Sequence, residues 1–411
     1  MKKTAFLCAV LVLVAFCFAG CQTQQTLTVN EYLTKYEKEI DLEQKMDDKT
    51  FGNNDYRVFL PGETHTAAKS FQAKKMMIQY LHEQHGVNFI LEESGVASGF
   101  LKEYYIQTGD EFYLDLLMDS VQGTLACSEE EKDYLQWLYE NITIGNRKIK
   151  KLHVFGLDVD HQLNLLPEAA ALLAENNREE IKKEMQRLVS FMDKNPTEFQ
   201  QNIDQYLNKY QADFGKNLPF TQLLCDNLTD TAHFYKEKKK KQNMEFHQIR
   251  DFAMMRNFCF WEEYFPNDTK FFGQFGSEHI YQKACTSKYN LAHYQRFGTL
   301  LQGEDSPVKG EVCSILYQYV QTGDSPRGGY IYQTPFDQFP QSIFERYHGA
   351  DFFIPLDHKN SPFLSAEAQG KTEEEISLLD LPEKQASGTT DYFQKFLILF
   401  DSEETTPYQP K

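Results

Sequence analysis

Residues 56 to 91 switch between two kinds of periodicity, and that switch narrows the fold more than any other feature of the chain. Tyr56-Arg57-Val58-Phe59-Leu60 reads as a strand that ends at Pro61-Gly62. Ser70 to Gln84 then places Phe71, Met76, Met77, Tyr80 and Leu81 on or near one face of a helix. Val87-Asn88-Phe89-Ile90-Leu91 reads as a second strand, closed by Glu92-Glu93-Ser94-Gly95. A strand, a helix and a strand at this spacing form a βαβ unit. Such units build parallel sheets with helices on both faces.

The theme continues along the chain. Glu129 to Asn141 is helical in pattern, and Leu152-His153-Val154-Phe155-Gly156 is a strand running into Leu157-Asp158-Val159-Asp160. Residues 162–248 are polar and helix-rich, which reads as a helical insertion or cap. Lys270 to Phe275, Asp351 to Leu356 and Tyr392 to Phe400 read as later strands, and Lys359 to Ser387 as a loop excursion. The expected fold class is α/β: a central, largely parallel sheet flanked by helices, in one domain over residues 51–407.

Titratable residues recur where these strands end. The first strand leads to Gly62-Glu63-Thr64-His65, the second to Glu92-Glu93, the third to Asp158 and Asp160, and a later one to Gly276-Ser277-Glu278-His279. In an open α/β sheet the carboxyl ends of the strands border the ligand crevice. One histidine after a strand is commonly structural. Two of them, each preceded by a glycine and accompanied by a carboxylate, point to a shared site. His65, His279, Glu63 and one of Glu92 and Glu93 are the candidates for proton transfer, with Glu63 or Glu278 able to orient an imidazole. The helix Gln248 to Phe260 places Arg250, Met254 and Asn257 on one face. Arg250 is a candidate for holding a carboxylate or an oxyanion, although a plain salt bridge is the blander reading.

The N-terminus reads as an export signal. Lys2 and Lys3 precede an apolar stretch of about fifteen residues, a length suited to a signal and too short to span a bilayer. Phe18-Ala19-Gly20-Cys21 follows, then a polar run from Gln22. Residues 1–20 are expected to be a lipoprotein signal peptide, Cys21 the lipidated residue, and residues 21–50 a tether with a short amphipathic helix between Val29 and Met46. The chain would then be exported and held to the cell membrane or outer membrane by lipid alone. A net charge of −18 argues against nucleic acid and against peripheral binding to anionic headgroups. Beyond the signal and Cys21, five cysteines remain (Cys127, Cys225, Cys259, Cys285 and Cys313), with no Cys-x-x-Cys spacing. One or two disulfides are compatible with export, and a thiolate zinc site is not expected.

Taken in order, these motifs resemble the superfamily of erythromycin esterases, ChaN-like proteins and Tiki (TraB) proteases. Gly62-Glu63-Thr64-His65 resembles its opening Gly-Glu-x-His signature, and Ile90-Leu91-Glu92-Glu93 the acidic strand that follows. Trp137-Leu138-Tyr139-Glu140-Asn141 with Val154 to Asp158 resembles the esterase segment between a Trp-Leu helix and a Gly-x-Asp strand. Arg250-Asp251, Met254 and Asn257 resemble the Arg-Asp-x-x-Met-x-x-Asn helix. Phe272-Gly273 and Gly276 to His279 resemble the second Gly-x-x-His, and Tyr392 to Phe400 with Thr405-Thr406-Pro407 the closing strand. The resemblance spans roughly residues 56 to 407 and rests on motif order. It implies hydrolysis of an ester or amide in a small-molecule or peptide substrate. His65 would serve as general base or metal ligand with Glu63 as partner. Glu92 or Glu93 and His279 would complete the site, Arg250 would hold substrate or oxyanion, and Asp158 and Asn257 would contact substrate. The implied cofactor is a divalent metal (Mn, Co or Zn) at His65 and His279. Haem replaces it if the chain follows the ChaN-like members as a binding lipoprotein. The first motif is closer to ChaN-like and Tiki members, the middle of the chain to the esterases.

Overall fold

The computed structural model describes residues 26–143, 152–193, 195–240, 245–283, 295–320, 349–364 and 388–409. The expected signal peptide (residues 1–20), Cys21 and Cys285 lie outside them. The chain begins with α1 (Val29–Tyr36), β1 (Lys38–Ile40) and a single turn α2 (Asp48–Phe51), then β2 (Val58–Glu63), α3 (Ala68–His85) and β3 (Phe89–Gly95). Three helices follow, α4 (Val96–Thr108), α5 (Glu111–Ser120) and α6 (Glu129–Thr143), before β4 (His153–Asp158). The stretch to the next strand is helical: α7 (Leu166–Leu173), α8 (Arg178–Phe191), α9 (Pro196–Phe214), α10 (Leu218–Lys238) and α11 (Glu245–Tyr264). Then come β5 (Phe271–Gly276), a 3₁₀ turn (Ser277–Ile280), α12 (Phe297–Leu301), β6 (Val312–Val320), β7 (Asp351–Pro355) and β8 (Lys395–Phe400).

The eight strands form one sheet in the order β1-β7-β8-β6-β2-β5-β3-β4. Pairings from β8 through β4 are all parallel, and β7 is antiparallel to both its neighbours. From β2 the chain winds to one side through β3, β4 and β5, and to the other through β6, β7 and β8. The direction of winding therefore changes at β2, which is where an α/β sheet opens a crevice at its carboxyl edge. One face of the sheet packs Phe59, Ile90, Val154 and Phe272 against α3 and α6. The other packs Leu60, Leu91, Phe155 and Phe271 against α4, α7–α11 and α12.

The α/β expectation holds, with differences at particular points. β2 does not stop at Pro61 but runs through Pro61-Gly62 to Glu63, paired with β5 and β6. A strand residue points its N–H at one neighbour only, so Pro61 forfeits a single ladder bond. β3 likewise continues through Glu92 and Glu93. β6, in the middle of the sheet, has no counterpart in the sequence reading. The segment read as a tether is part of the body: Thr28 makes a capping box with Glu31 at the start of α1, Tyr32 Oη donates to Pro355 O (2.6 Å), and β1 extends the sheet beside β7. The sheet thus starts before residue 51. Helices α7 to α11 follow one another from Leu166 to Tyr264, past the expected boundary at residue 248, and α11 packs onto β4. Cys127, Cys225, Cys259 and Cys313 are free thiols. No described helix is long and apolar enough to cross a membrane.

At one point helix and sheet approach so closely that only glycine fits. A Cβ on Gly99 of α4 would lie 2.1 Å from Gly156 N, and one on Gly156 would lie 2.1 Å from Gly95 O. Gly156→Ala is therefore expected to destabilise the protein by about 1–3 kcal/mol or more through overpacking. An unchanged midpoint in urea unfolding would count against this close packing.

Candidate active site

The carboxyl ends of β2, β3, β4 and β5 converge on one cluster of charges. Glu63 ends β2 beside Gly276, its register partner at the end of β5. Two residues on, His65 Nδ1 is 2.6 Å from Glu63 Oε1. The carboxylate can only accept, so Nδ1 carries the proton and Nε2 is the imidazole's free nitrogen when neutral. The His65 side chain is 56% exposed, against 7% for His279. Attraction from Glu63, its hydrogen bond, and the charge of Glu93 raise His65 to a pKa of about 9.

Glu93 lies at the centre of the cluster. Its Oε2 accepts from Gly276 N–H (2.6 Å), and its Oε1 accepts from Arg250 Nη2 (2.5 Å) with His279 Nε2 at 3.3 Å. Burial alone would raise this carboxyl, but the charges of His279, Arg250 and His65 hold it well below the usual range. Arg250 comes from α11 and also grips Asp158 at the end of β4, through Nε (3.0 and 3.1 Å) and Nη2 (2.5 Å). His279 Nδ1 donates to Asp251 Oδ1 (2.7 Å), which also accepts from Phe297 N–H (2.8 Å). Burial would lower His279, but Asp251 and Glu93 carry it to about 10, so it is an imidazolium at neutral pH.

Gly276 faces the gap between these groups. A Cβ there would stand 3.1 Å from His65 Cε1, 3.3 Å from His65 Nε2 and 3.3 Å from Glu93 Oε2. Glycine thus keeps open the space in which a water or a substrate atom would meet Nε2.

Of the residues singled out in the sequence, the structure brings together Glu63, His65, Glu93, Asp158, Arg250 and His279. Glu92 points to the other face of the sheet, where it lies 3.1 Å from Lys74 Nζ and 2.6 Å from Lys102 Nζ. Burial would raise Glu92, but the two lysines hold it at about 2. Asp158 and Asn257 are fully buried, and neither faces the crevice as a substrate contact. Asp158 anchors Arg250, while Asn257 Nδ2 donates to Leu157 O (2.6 Å) and Asn227 Oδ1 (2.8 Å), bracing the end of β4. Asp160 accepts from Ala97 N–H (2.9 Å) and Asn227 Nδ2 (2.8 Å). Glu278 does not orient His279; it pairs with Arg296, and Asp251 takes the orienting place.

Asp251, Arg296 and His247 were not singled out for the site. Asp251 adjoins Arg250, and adjacency on a helix suggests divergent directions. The long arginine reaches Asp158 and Glu93 while the short aspartate meets His279. His247, one turn earlier on α11, is lowered to about 4 by burial and by the cations Arg296, Arg250 and His279.

A divalent ion does not fit between His65 and His279 as they stand. Both nitrogens of His279 face carboxylates as donors, which leaves no lone pair for a metal. Among the described residues no set of three His, Cys, Asp or Glu side chains is placed to hold one. Haem would need apolar surface around its ligand, whereas His65 is bordered by Glu63, Glu93 and Gly276.

No family model and no curated protein matches the sequence. Solved structures do match by shape. A Bacillus cereus protein superposes with a TM-score of 0.64 at 16% identity, covering 92% of this chain and 98% of its own. An erythromycin esterase, EreC, in its open conformation superposes with a TM-score of 0.62 at 14% identity, covering 90% of this chain and 98% of its own. These likenesses show a shared fold over nearly the whole chain, as the motif order implied. Haem-bound ChaN of Campylobacter jejuni matches with a TM-score of only 0.30 at 12% identity, over 64% of this chain and 82% of its own. That overlap carries no argument about haem.

Glu63→Gln removes the charge that raises His65. The His65 midpoint, followed by NMR of the imidazole, is expected to fall from about 9 toward the ordinary value near 6.5. A midpoint that stays near 9 would mean that Glu63 is not its cause.

Proposed function

We propose that this chain is a lipid-anchored, extracytoplasmic hydrolase that uses the His65–Glu63 pair to activate water on an ester or amide. The observation that carries this reading is the 2.6 Å hydrogen bond from His65 Nδ1 to Glu63 on a half-exposed imidazole. It leaves Nε2 facing the gap kept open by Gly276. Glu63 fixes the tautomer and stabilises the imidazolium that forms when Nε2 takes a proton. The fold shared with EreC supports the same class of chemistry by analogy.

In the reaction, the water oxygen attacks the carbonyl carbon while Nε2 takes its proton. Charge develops on the carbonyl oxygen beside a cluster in which Arg250 and His279 balance the charge of Glu93. As the tetrahedral species collapses, the bond to the leaving oxygen or nitrogen breaks. The His65 imidazolium returns its proton to that atom. Neutral His65 is the active base, so the rate is expected to rise with pH and level off above about 9.

The anchor belongs to the same proposal. Gln22 to Thr28 are all that separate Cys21 from the start of α1, a reach of about 25 Å at full extension. The catalytic body would therefore sit close to the membrane surface.

A panel of activated esters and peptides, incubated with the soluble form that starts at Gln22, tests the enzyme reading. His65→Ala is expected to lose about 10²–10⁴-fold in rate, with neither added Mn²⁺ nor chelator altering the wild type. Hydrolysis that persists undiminished in His65→Ala would sink it. Cys21→Ser in the full chain is expected to move the protein from the membrane to the soluble fraction; retention at the membrane would argue against the anchor.

A further inference from the structure

The turn that carries His65 is gripped from outside the crevice by the end of the chain. β8 stops at Phe400, and Asp401 adopts a left-handed conformation (φ 46°) that redirects the backbone. The next residues cross the start of α3 in antiparallel fashion. Ala67 and Glu404 form an isolated bridge, and Thr405 N–H donates to Thr66 O (2.8 Å). Ala68 N–H donates to Glu403 O (2.8 Å) and Lys69 N–H to Ser402 Oγ (3.1 Å).

These bonds supply something α3 lacks. Its N-cap is Ala67, which has no side chain to accept from the first-turn N–H groups. Glu403 O and Ser402 Oγ fill that place from the other end of the sequence. The chain then anchors on α6: Glu129 N–H donates to Thr406 O (2.8 Å), and Thr406 N–H to Glu130 Oε2 (2.9 Å). On the far side of His65, Thr64 N–H donates to the Tyr319 hydroxyl (3.2 Å). His65 thus lies between two pinned neighbours, Thr64 held by β6 and Thr66 held by the C-terminal segment. Thr405-Thr406-Pro407 belongs to the motif order of the sequence yet takes no part in the chemistry described so far.

We propose that residues 402–408 are a positioning strap for His65. Through backbone bonds to Thr66, Ala68 and Lys69, the strap holds the turn where Nε2 meets the gap at Gly276 and Glu93. The role in turnover rests on the hydrolase reading; the effect on the imidazole does not.

Thr405→Pro deletes the N–H that holds Thr66, whereas Thr405→Ala keeps it. kcat and KM on an activated ester, and the His65 midpoint by NMR, are measured for both. Thr405→Ala is expected to match the wild type. Thr405→Pro is expected to lose about tenfold to a hundredfold in kcat with KM unchanged, as a misplaced catalytic group does. Its His65 midpoint is expected to fall from about 9 as the bond to Glu63 loosens. If Thr405→Pro does not fold, Ser402→Ala, which removes one acceptor from the start of α3, is read in the same way. A variant that melts earlier but keeps the wild-type kcat and midpoint would reduce the strap to plain structure and overturn the proposal. If the wild type turns over no ester, the hydrolase reading fails separately, and the His65 midpoint alone decides the strap.

Discussion

The carboxylate of Glu93 is the interaction on which the carboxyl end of the sheet depends. It sits on β3 and takes bonds or charge from β5 through Gly276 N–H, from α11 through Arg250, and from the turn after β5 through His279. Arg250 extends the chain of charges to Asp158 on β4. Taking such a charge out of water is costly unless every partner is in place, and removing one partner of a buried pair costs about 3–5 kcal/mol. The members therefore stand or fall together. Their interdependence is what makes the crevice rigid, and rigid charges need no reorganisation when a reaction develops charge beside them.

The adjacent carboxylate shows how the sheet separates two problems. Glu92 and Glu93 follow one another on a strand and so face opposite ways. Glu92 meets Lys74 and Lys102, with Lys74 over the Tyr134 ring and Lys102 also paired to Glu131. That network joins β3 to α3, α4 and α6. One residue thus secures the strand end from below while its neighbour builds the site above.

What could be read in advance follows from how local each signal is. Strand ends marked by Gly, Glu and His are local, and they led to the crevice. The extension of β2 through Pro61-Gly62 depends on neighbours to either side, which no local pattern reveals. β6 carries Ser314 and Gln318 in the buried interior, which breaks the apolar run of a central strand. Ser314 is tolerated because Gln282 and Gln394 meet its hydrogen-bonding groups. Asp251 was overshadowed by Arg250, because the reach of a side chain decides its partner as much as its angle on the helix. Asn257 shares a face with Arg250 but is deeper, and so braces β4 instead of meeting the crevice.

The order of strands carries a consequence for how the molecule comes into being. β2 is at the heart of the sheet, yet both of its neighbours, β5 and β6, are encoded far downstream, with five helices between β4 and β5. Val58 must wait for Phe271 and Val312. Pairings so distant along the chain form slowly, because a long loop must close before any contact repays its entropy. In a nascent polypeptide of this kind the central strand gains its two neighbours only after β5 and β6 have been made. The sheet can close around β2 only when most of the length has emerged.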